Sequence, residues 1–286
     1  MRVRSVATFM CLVASLALGA CGGGSSSEEE EVTDTSGSET VVEAEPEPEP
    51  EPQPPAPSPV RVIHAAAGIS GEPVSGDASG MASFEAVAFA SASPYAEVAP
   101  SEPMEAVGVS ISAEGGASVD TQAPLTAGTP TTIVVYSGAD GGLAALALPD
   151  EAGSVTGQVR GRFVNALLGT EALDLCLPGA SRRAAGTPII SGVAYGDFGG
   201  IPSFPSRYQP MNLAGVEQVQ LRAGAETPCS GAVVGTVALP PIDINVPHNL
   251  TIVAVGRQSG RPRVPKQLLV CEDHPGPGTC AALPVR

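Results

Sequence analysis

The sequence predicts an all-β protein, with two tandem immunoglobulin-like β-sandwich domains after a disordered, acidic and proline-rich segment. Three observations predict this class. Short β-branched runs recur between clusters of Gly, Pro, Ser, Asp and Asn, about 8–12 residues apart, as in sandwiches and barrels. Several runs occur twice in the same order. No helical apolar periodicity persists beyond the first 20 residues.

Residues 1–20 form a predicted signal peptide. Arg2 and Arg4 precede an apolar run over residues 6–18, which is shorter than the roughly 20 residues that span a bilayer. Leu18-Gly19-Ala20-Cys21 then resembles the lipobox of bacterial lipoproteins. The resemblance implies that cleavage leaves Cys21 as the first residue and that its thiol is acylated. An ordinary signal peptide with an incidental cysteine is the alternative.

Residues 21–59 are interpreted as a disordered stalk. They contain 11 acidic residues and no Lys or Arg, and residues 45–52 are a strict Glu-Pro repeat. Such a segment buries too little apolar surface to fold, and its prolines favour extended polyproline II. The stalk either holds the folded part away from the membrane or acts as a passive tether.

The charge distribution argues against nucleic-acid binding. The net charge is −16, the chain has no Trp, and aromatic residues make up 3%. Basic residues are rare before residue 154: Arg61 is the only Lys or Arg of residues 60–153. A nucleic-acid binder typically presents a basic stripe with interleaved aromatic residues.

The two domains are predicted at residues 60–153 and 154–286 from an internal repeat. Residues 60–66 align with 161–167, 87–89 with 193–195, and 93–95 with 206–208. Residues 132–135 align with 251–254, and 146–150 with 268–272. The offset grows along the chain, which places insertions in loops of the second copy.

The repeated segments resemble the family called domain of unknown function 4397, found in bacterial envelope proteins. Val60-Arg61-Val62-Ile63-His64-Ala65 is similar to its V-R-V-x-H-A opening, and residues 173–177 to its V-D-V-x-V element. The Ser-x-Tyr and late T-x-V-V-x-G motifs have counterparts at residues 206–208 and 251–256. Residues 72–76 depart from the V-D-V pattern, so that strand of the first copy stays open. The resemblance implies an extracytoplasmic sandwich and assigns no activity.

Four cysteines of the second copy are expected to form disulfides, because export favours oxidation. Three pairings are possible. Cys271 and Cys280 bracket a turn-rich loop, and Cys176 lies in a strand while Cys229 follows a hairpin edge, which favours Cys271–Cys280 and Cys176–Cys229. Zinc binding by Cys271, His274 and Cys280 is the alternative, but this spacing matches no common zinc site. Free thiols are a third possibility.

No catalytic or cofactor-binding motif is found. The G-x-S-x-G, H-E-x-x-H, phosphate-loop and calcium-loop patterns are absent. His64 is interpreted as a hydrogen-bonded strand histidine and His248 as a loop residue. We therefore expect no catalytic residue, metal or cofactor.

These observations predict a lipid-anchored protein of the bacterial cell envelope with a non-catalytic binding or structural role. Gly22, rather than Asp, after the acylated cysteine is typical of outer-membrane sorting. Expected partners are the membrane, through the acyl chains, and an envelope protein or polysaccharide. A hydrolase of envelope or extracellular polymer is the alternative from another class, and a spacer or surface coat is a third.

Overall fold

A computed structural model describes residues 53–150, 157–181, 184–199, 208–273 and 280–286. The predicted signal peptide, Cys21, almost all of the stalk and His274 lie outside these residues. Residues Pro52–Arg286 belong to one compact unit. Within this unit, residues 53–150 are called lobe 1 and the described residues from 157 onward are called lobe 2.

Lobe 1 contains nine strands and one short 3₁₀ turn (Ala67–Ile69). The strands are β1 (Ser58–His64), β2 (Val74–Ala78), β3 (Ala82–Val87), β4 (Ser91–Ala92), β5 (Ala96–Val98), β6 (Met104–Ala113), β7 (Ser118–Thr126), β8 (Thr131–Ser137) and β9 (Leu143–Pro149).

Lobe 2 contains ten strands among its described residues. They are β10 (Val159–Asn165), β11 (Ala172–Leu177), β12 (Thr187–Ala194), β13 (Phe198–Gly199), β14 (Gln209–Met211), β15 (Gln218–Ala223), β16 (Val233–Ala238), β17 (His248–Val255), β18 (Gln267–Glu272) and β19 (Cys280–Pro284).

Each lobe is a sandwich of an inner and an outer sheet, and the strand order of lobe 1 recurs in lobe 2. The inner sheet of lobe 1 runs β4-β1-β8-β9, with β5 also paired to β1, and its outer sheet runs β3-β2-β6-β7. The inner sheet of lobe 2 runs β13-β10-β17-β18-β19, with β14 also paired to β10, and its outer sheet runs β12-β11-β15-β16. The prediction of an all-β sandwich protein is confirmed, and β19 is an edge strand with no counterpart in lobe 1.

The inner sheets are covered on both faces. One face packs on the outer sheet of the same lobe, and the other packs on the inner sheet of the other lobe. β1 pairs in parallel with β8, and β10 with β17. Six of the seven residues of β1 are buried. Parallel strands with two covered faces require apolar side chains on both, which explains the nearly continuous β-branched runs in the sequence.

Three apolar clusters hold the unit together. Val62 and Ile133 belong to the cluster between the sheets of lobe 1, and Phe163 to the cluster between those of lobe 2. The third lies between the lobes and includes Ile63, Val134, Val164, Val253 and Leu269. Because successive strand residues face opposite sides of a sheet, Val62 packs in the core of lobe 1 while its neighbour Ile63 packs in the interface between the lobes.

The structure corrects the sequence alignment of the lobes at its last segment. Thr132 pairs with Leu148 in lobe 1, whereas the corresponding Thr251 pairs with Cys271 in lobe 2. The last segment is therefore aligned one residue out in the sequence comparison. A slip of one residue exchanges the two faces of a strand, and comparison of residue types alone does not detect which face is buried. The strand left open in the first copy is present as β2.

The direction of four strands defines two ends of the unit. β1, β8, β10 and β17 all begin at one end, called the entry end, where the described chain starts: Ser58 Oγ donates to Thr126 O at 2.8 Å. All four strands finish at the opposite end, called the far end, where Tyr195 Oη donates to Ser137 O at 2.6 Å. A strand of seven residues spans roughly 20 Å, which separates the two ends.

Candidate functional site

An arginine of lobe 1 forms a buried ion pair with an aspartate of lobe 2. Arg61 projects from β1 across the interface, and its Nη2 pairs with Asp273, which follows β18. Its Nη1 donates to Glu272 O at 2.9 Å, and its Nε donates to Thr132 Oγ1 at 2.9 Å. All the contacts to lobe 2 are thus made by one end of the guanidinium, while Nε is held by its own lobe.

The same arrangement occurs in the opposite direction. Arg162 of β10 pairs through Nη2 with Asp150, which follows β9. Its Nη1 donates to Pro149 O at 2.7 Å, and its Nε donates to Thr251 Oγ1 at 2.9 Å. The two lobes therefore exchange arginines across an approximate two-fold relation, atom for atom.

A tyrosine of each lobe completes each half. The ring of Tyr95 lies 4.8 Å from the Arg61 guanidinium carbon, and the ring of Tyr208 lies 4.7 Å from that of Arg162. Tyr95 Oη donates to Asp150 at 2.8 Å, and Tyr208 Oη donates to Asp273 at 2.5 Å. Since the interface threonines also donate to these carboxylates, each carboxylate is surrounded by donors from both lobes. We call these eight residues the charge-exchange centre: Arg61, Tyr95, Thr132, Asp150, Arg162, Tyr208, Thr251 and Asp273.

Burial governs the protonation of this centre. Burial raises the pKa of Asp273 to about 6, although the Arg61 guanidinium acts in the opposite direction. Burial alone would lower the pKa of Arg61, but the surrounding groups, led by the Asp273 carboxylate, together outweigh it, so that the pKa lies above its usual value. Burial also raises the pKa of Tyr95 and of Tyr208, which keeps both hydroxyls protonated as donors.

The charge-exchange centre is closed to solvent. Arg61 and Arg162 are 0% exposed, Asp150 is 2% exposed and Asp273 is 3% exposed. A hydrolase that uses two carboxylates must bring a substrate between them. Here the space around both is filled by Arg, Tyr and Thr side chains, so the arrangement can hold the lobes together but has no room for a substrate.

The two favoured disulfides are present in lobe 2. Cys176 is bonded to Cys229, and Cys271 to Cys280. The first joins β11 to the β15–β16 connection, and the second joins directly opposed residues of β18 and β19. Both sulfurs of the alternative zinc site are therefore joined to each other.

Asp174 reinforces the first disulfide. It accepts hydrogen bonds from Gly192 N at 2.7 Å and from Cys229 N at 2.8 Å. Cys229 has a φ of +60°, a conformation that is unfavourable for a side chain with a Cβ. Asp174, Cys176 and Cys229 lie close enough to suggest a metal cluster, but both sulfurs are already bonded to each other.

His64 is a hydrogen-bonded strand histidine in the structure. Its Nε2 lies 3.0 Å from Glu72 O, and its Nδ1 accepts from Ala66 N at 3.3 Å. Burial lowers the pKa of His64, in keeping with a neutral ring that donates through Nε2. The corresponding Asn165 donates to Val193 O at 3.0 Å and accepts from Leu167 N at 3.3 Å. An amide thus reproduces the donor and acceptor of the neutral imidazole.

His248 lies at the entry end, close to acceptors on two neighbouring residues. Its Nδ1 lies 3.2 Å from a carboxylate oxygen of Glu272, and its Nε2 lies 3.0 Å from Asp243 O. It is the first residue of β17 rather than a loop residue, so the loop interpretation of His248 is wrong by one position.

Sequence reasoning missed the charge-exchange centre. Its arginines, tyrosines and threonines were recognised only as markers of the repeat. The available signal is an arginine inside the first strand of each copy, together with an aspartate directly after β9 in lobe 1 and directly after β18 in lobe 2. The off-by-one alignment hid that signal, because it matched Asp150 with Glu272 instead of Asp273.

The fold and this centre define a class: a two-lobed, all-β protein whose sandwich lobes are joined by exchanged buried charges. The family model described as "Domain of unknown function (DUF4397)" matches residues 58–176. The match confirms the family resemblance for this range, which holds all the strands of lobe 1, β10 and most of β11. The motifs at residues 206–208 and 251–256 lie outside it. No curated protein matches the chain significantly. The described residues include no helix with the length and apolarity needed to cross a membrane.

Proposed function

We propose that this protein is a lipid-anchored component of the bacterial cell envelope with a non-catalytic binding or structural role. Acyl chains on Cys21 anchor it, with the outer membrane as the expected location. Two or three acyl chains anchor stably where one does not. The folded unit then acts on an envelope protein or polysaccharide as a rigid, two-lobed body.

The charge-exchange centre is the observation that carries this proposal. Separating the lobes would leave two guanidinium groups and two carboxylates without their partners. Removing one partner of a buried ion pair typically destabilises a protein by about 3–5 kcal/mol. The lobes are thereby held in one arrangement, as a binding or structural module requires, and the two convergent carboxylates are withheld from substrates.

The direction of the strands supports the proposal that the far-end loops are presented at a distance from the point where the anchor connects. The described chain begins at the entry end, so an anchor at Cys21 connects to that end. The loops at the far end are the most remote from this connection, and they are free to vary because they lie outside both sheets.

The anchor is tested by metabolic labelling with an alkyne-bearing fatty acid. We expect the wild-type protein to be labelled and Cys21→Ser to lose both the label and its membrane association. Cys11→Ser is the matched control and keeps the label, because Cys11 lies within the removed signal peptide. Label that persists in Cys21→Ser would disprove the proposed attachment point.

The non-catalytic role is tested separately against the hydrolase alternative. The purified full chain is incubated with envelope polysaccharide and with peptidoglycan, and new reducing ends and soluble fragments are measured. We expect no release above a heat-denatured control. Release by the native protein would establish the hydrolase and overturn the non-catalytic role.

A further inference from the structure

The loop between β17 and β18 concentrates positive charge at the far end of lobe 2. Residues 256–266 contain Arg257, Arg261, Arg263 and Lys266 and no acidic residue. The corresponding loop between β8 and β9 of lobe 1, residues 138–142, contains Asp140 and no basic residue. We call residues 256–266 the cationic loop.

The cationic loop surrounds an open cleft of about 720 Å³, lined by all four of its basic residues. Arg261 and Arg263 are exposed. Among the described residues, neither has a carboxylate within ion-pair distance. Arg61 and Arg162, by contrast, are each paired with a buried carboxylate. The loop therefore presents positive charge to solvent that no carboxylate of the described residues neutralises.

Two of the four cations are held in place, which shapes the cleft in advance. Lys266 Nζ donates to Val234 O at 2.5 Å, and Arg257 Nη1 lies 3.4 Å from Arg261 O. Arg257 Nε is buried and has no acceptor among the described residues. A buried donor without an acceptor is unfavourable, so the Arg257 side chain would gain a hydrogen bond by turning its Nε toward an oxyanion in the cleft. Pro262 and Pro265 restrict the backbone of the loop further.

The lining residues favour a glycan over a protein or a nucleic acid. Protein interfaces depend on buried aromatic anchors, and single-stranded nucleic acids stack their bases on aromatic rings. The cleft is lined by no aromatic residue. It offers instead guanidinium groups, which bind carboxylate and phosphate in bidentate geometry, together with Gln258 and Ser259, which can hydrogen-bond sugar hydroxyls.

The cleft lies at the end of the unit opposite the one where the described chain begins. Val255 and Gln267 flank the loop at the far end of β17 and β18, opposite the entry end. Provided that the proposed anchoring is correct, the segment that leads to the anchor joins the unit at the entry end, away from the cleft.

We infer that the cationic loop binds a glycan that carries carboxylate or phosphate groups. Arg261 and Arg263 contact the anionic groups directly, and Arg257 and Lys266 contribute charge at the edge of the cleft. Attraction of this kind weakens as salt rises, because exposed charges are screened over about 10 Å at 0.1 M ionic strength.

The test uses the detergent-solubilised full chain and calorimetric titration. The carboxylate probe is an oligogalacturonate, with the methyl-esterified oligosaccharide of equal length as its uncharged match. The phosphate probe is a phosphomannan oligosaccharide. We expect at least one charged probe to bind, the ester not to bind, and the affinity to fall at higher salt. Binding of the first probe identifies carboxylate groups, and binding of the second identifies phosphate groups.

Substitutions locate the site. Arg261→Gln and Arg263→Gln should each weaken binding about tenfold, which corresponds to the loss of one charge-assisted hydrogen bond. Arg286→Gln removes an exposed charge outside the cleft and should leave the affinity unchanged. The melting temperatures of all three should match the wild type, since these side chains are exposed.

Three outcomes would overturn the inference: no binding of either charged probe, equal binding of the esterified probe, or tighter binding of an oligoglutamate peptide. The last would identify an acidic polypeptide as the partner. The acyl labelling of Cys21 is measured on the same preparations. Failure of glycan binding with the label intact refutes this inference alone, whereas loss of the label refutes the proposed anchoring.

Discussion

Lobe 1 and lobe 2 share a strand order and the charge-exchange centre, but they differ in almost everything that surrounds it. Lobe 2 has both disulfides, an added edge strand and a longer, cationic far-end loop. Lobe 1 has no cysteine and a short loop at the corresponding position. The charge-exchange centre is buried between the lobes, whereas the Cys176–Cys229 disulfide joins the outer sheet of lobe 2 to a loop and the cationic loop lies at the far end. The comparison teaches that the interface demands the same side chains from both lobes, whereas the loops are unconstrained by it.

Breaking one half of the charge-exchange centre should have the largest effect. Arg162→Met leaves Asp150 buried without its partner, and we expect the free energy of unfolding to fall by about 3–5 kcal/mol. Arg61→Met should have a comparable effect through Asp273. Urea denaturation measures both, with Arg286→Met as the exposed control.

A double variant sharpens this result. Arg61→Met combined with Asp273→Asn removes both charges of one pair, so it should be less destabilising than the two single changes added together. Strict additivity would show that the pair contributes no coupling across the interface.

Removal of either disulfide should lower the stability of lobe 2 more than that of lobe 1. In the chain-entropy model, loss of Cys176–Cys229, with its sequence separation of 53, destabilises by about 4 kcal/mol. Loss of Cys271–Cys280, with a separation of 9, destabilises by about 3 kcal/mol. Both cysteines of each disulfide are replaced by alanine, and the protection of backbone amides is measured by hydrogen exchange. The variant without Cys176–Cys229 should lose protection first in β11, β15 and β16. Equal loss in the outer sheet of lobe 1 would contradict this prediction.

Substitution of Gly161 tests whether the side-chain packing around β10 differs from that around β1. Gly161 corresponds to Val60 of lobe 1, but a Cβ at Gly161 would lie 2.7 Å from Met211 Cε and 2.9 Å from Leu250 O. Gly161→Val should therefore destabilise by about 1–3 kcal/mol through overpacking.

Met211→Ala in the Gly161→Val background should recover part of that loss, because it removes the side-chain clash but leaves the backbone one. Thermal denaturation compares the three variants. Full recovery would show that the Leu250 carbonyl imposes no limit.

The smallest expected effect concerns His64 and its counterpart Asn165. Because the pKa of His64 is lower in the folded state, its stabilising contribution is complete above its usual value of 6.5 and is lost as the pH falls through the folded value. His64→Asn should be nearly neutral at pH 7 and should remove this part of the acid sensitivity. Unfolding free energies at pH 7 and pH 5 measure it, and Asn165→His should introduce the same sensitivity in lobe 2. An unchanged pH dependence in His64→Asn would contradict the assignment.

Much of the fold was predictable because it depends on local patterns. β1, β8 and β17 are rich in β-branched residues, and β10 is found by its alignment with β1. This repetition marks two equivalent lobes. The disulfide pairing is also predicted correctly, since the expected export and the spacing of the cysteines leave few alternatives. The register of β18 was not predictable, because a one-residue shift preserves the apolar character of the segment while it exchanges the faces.

The amino-acid sequence by itself determined the all-β class, the repeat, the family resemblance and the expectation of a lipid anchor at Cys21. Only the tertiary structure decided that the lobes form one unit and that Arg61 pairs with Asp273 rather than with a residue of its own lobe. The physical reason is distance along the chain. Strand formation depends on neighbours a few residues apart, whereas the exchanged ion pairs join residues that become adjacent only when two complete sandwiches pack face to face.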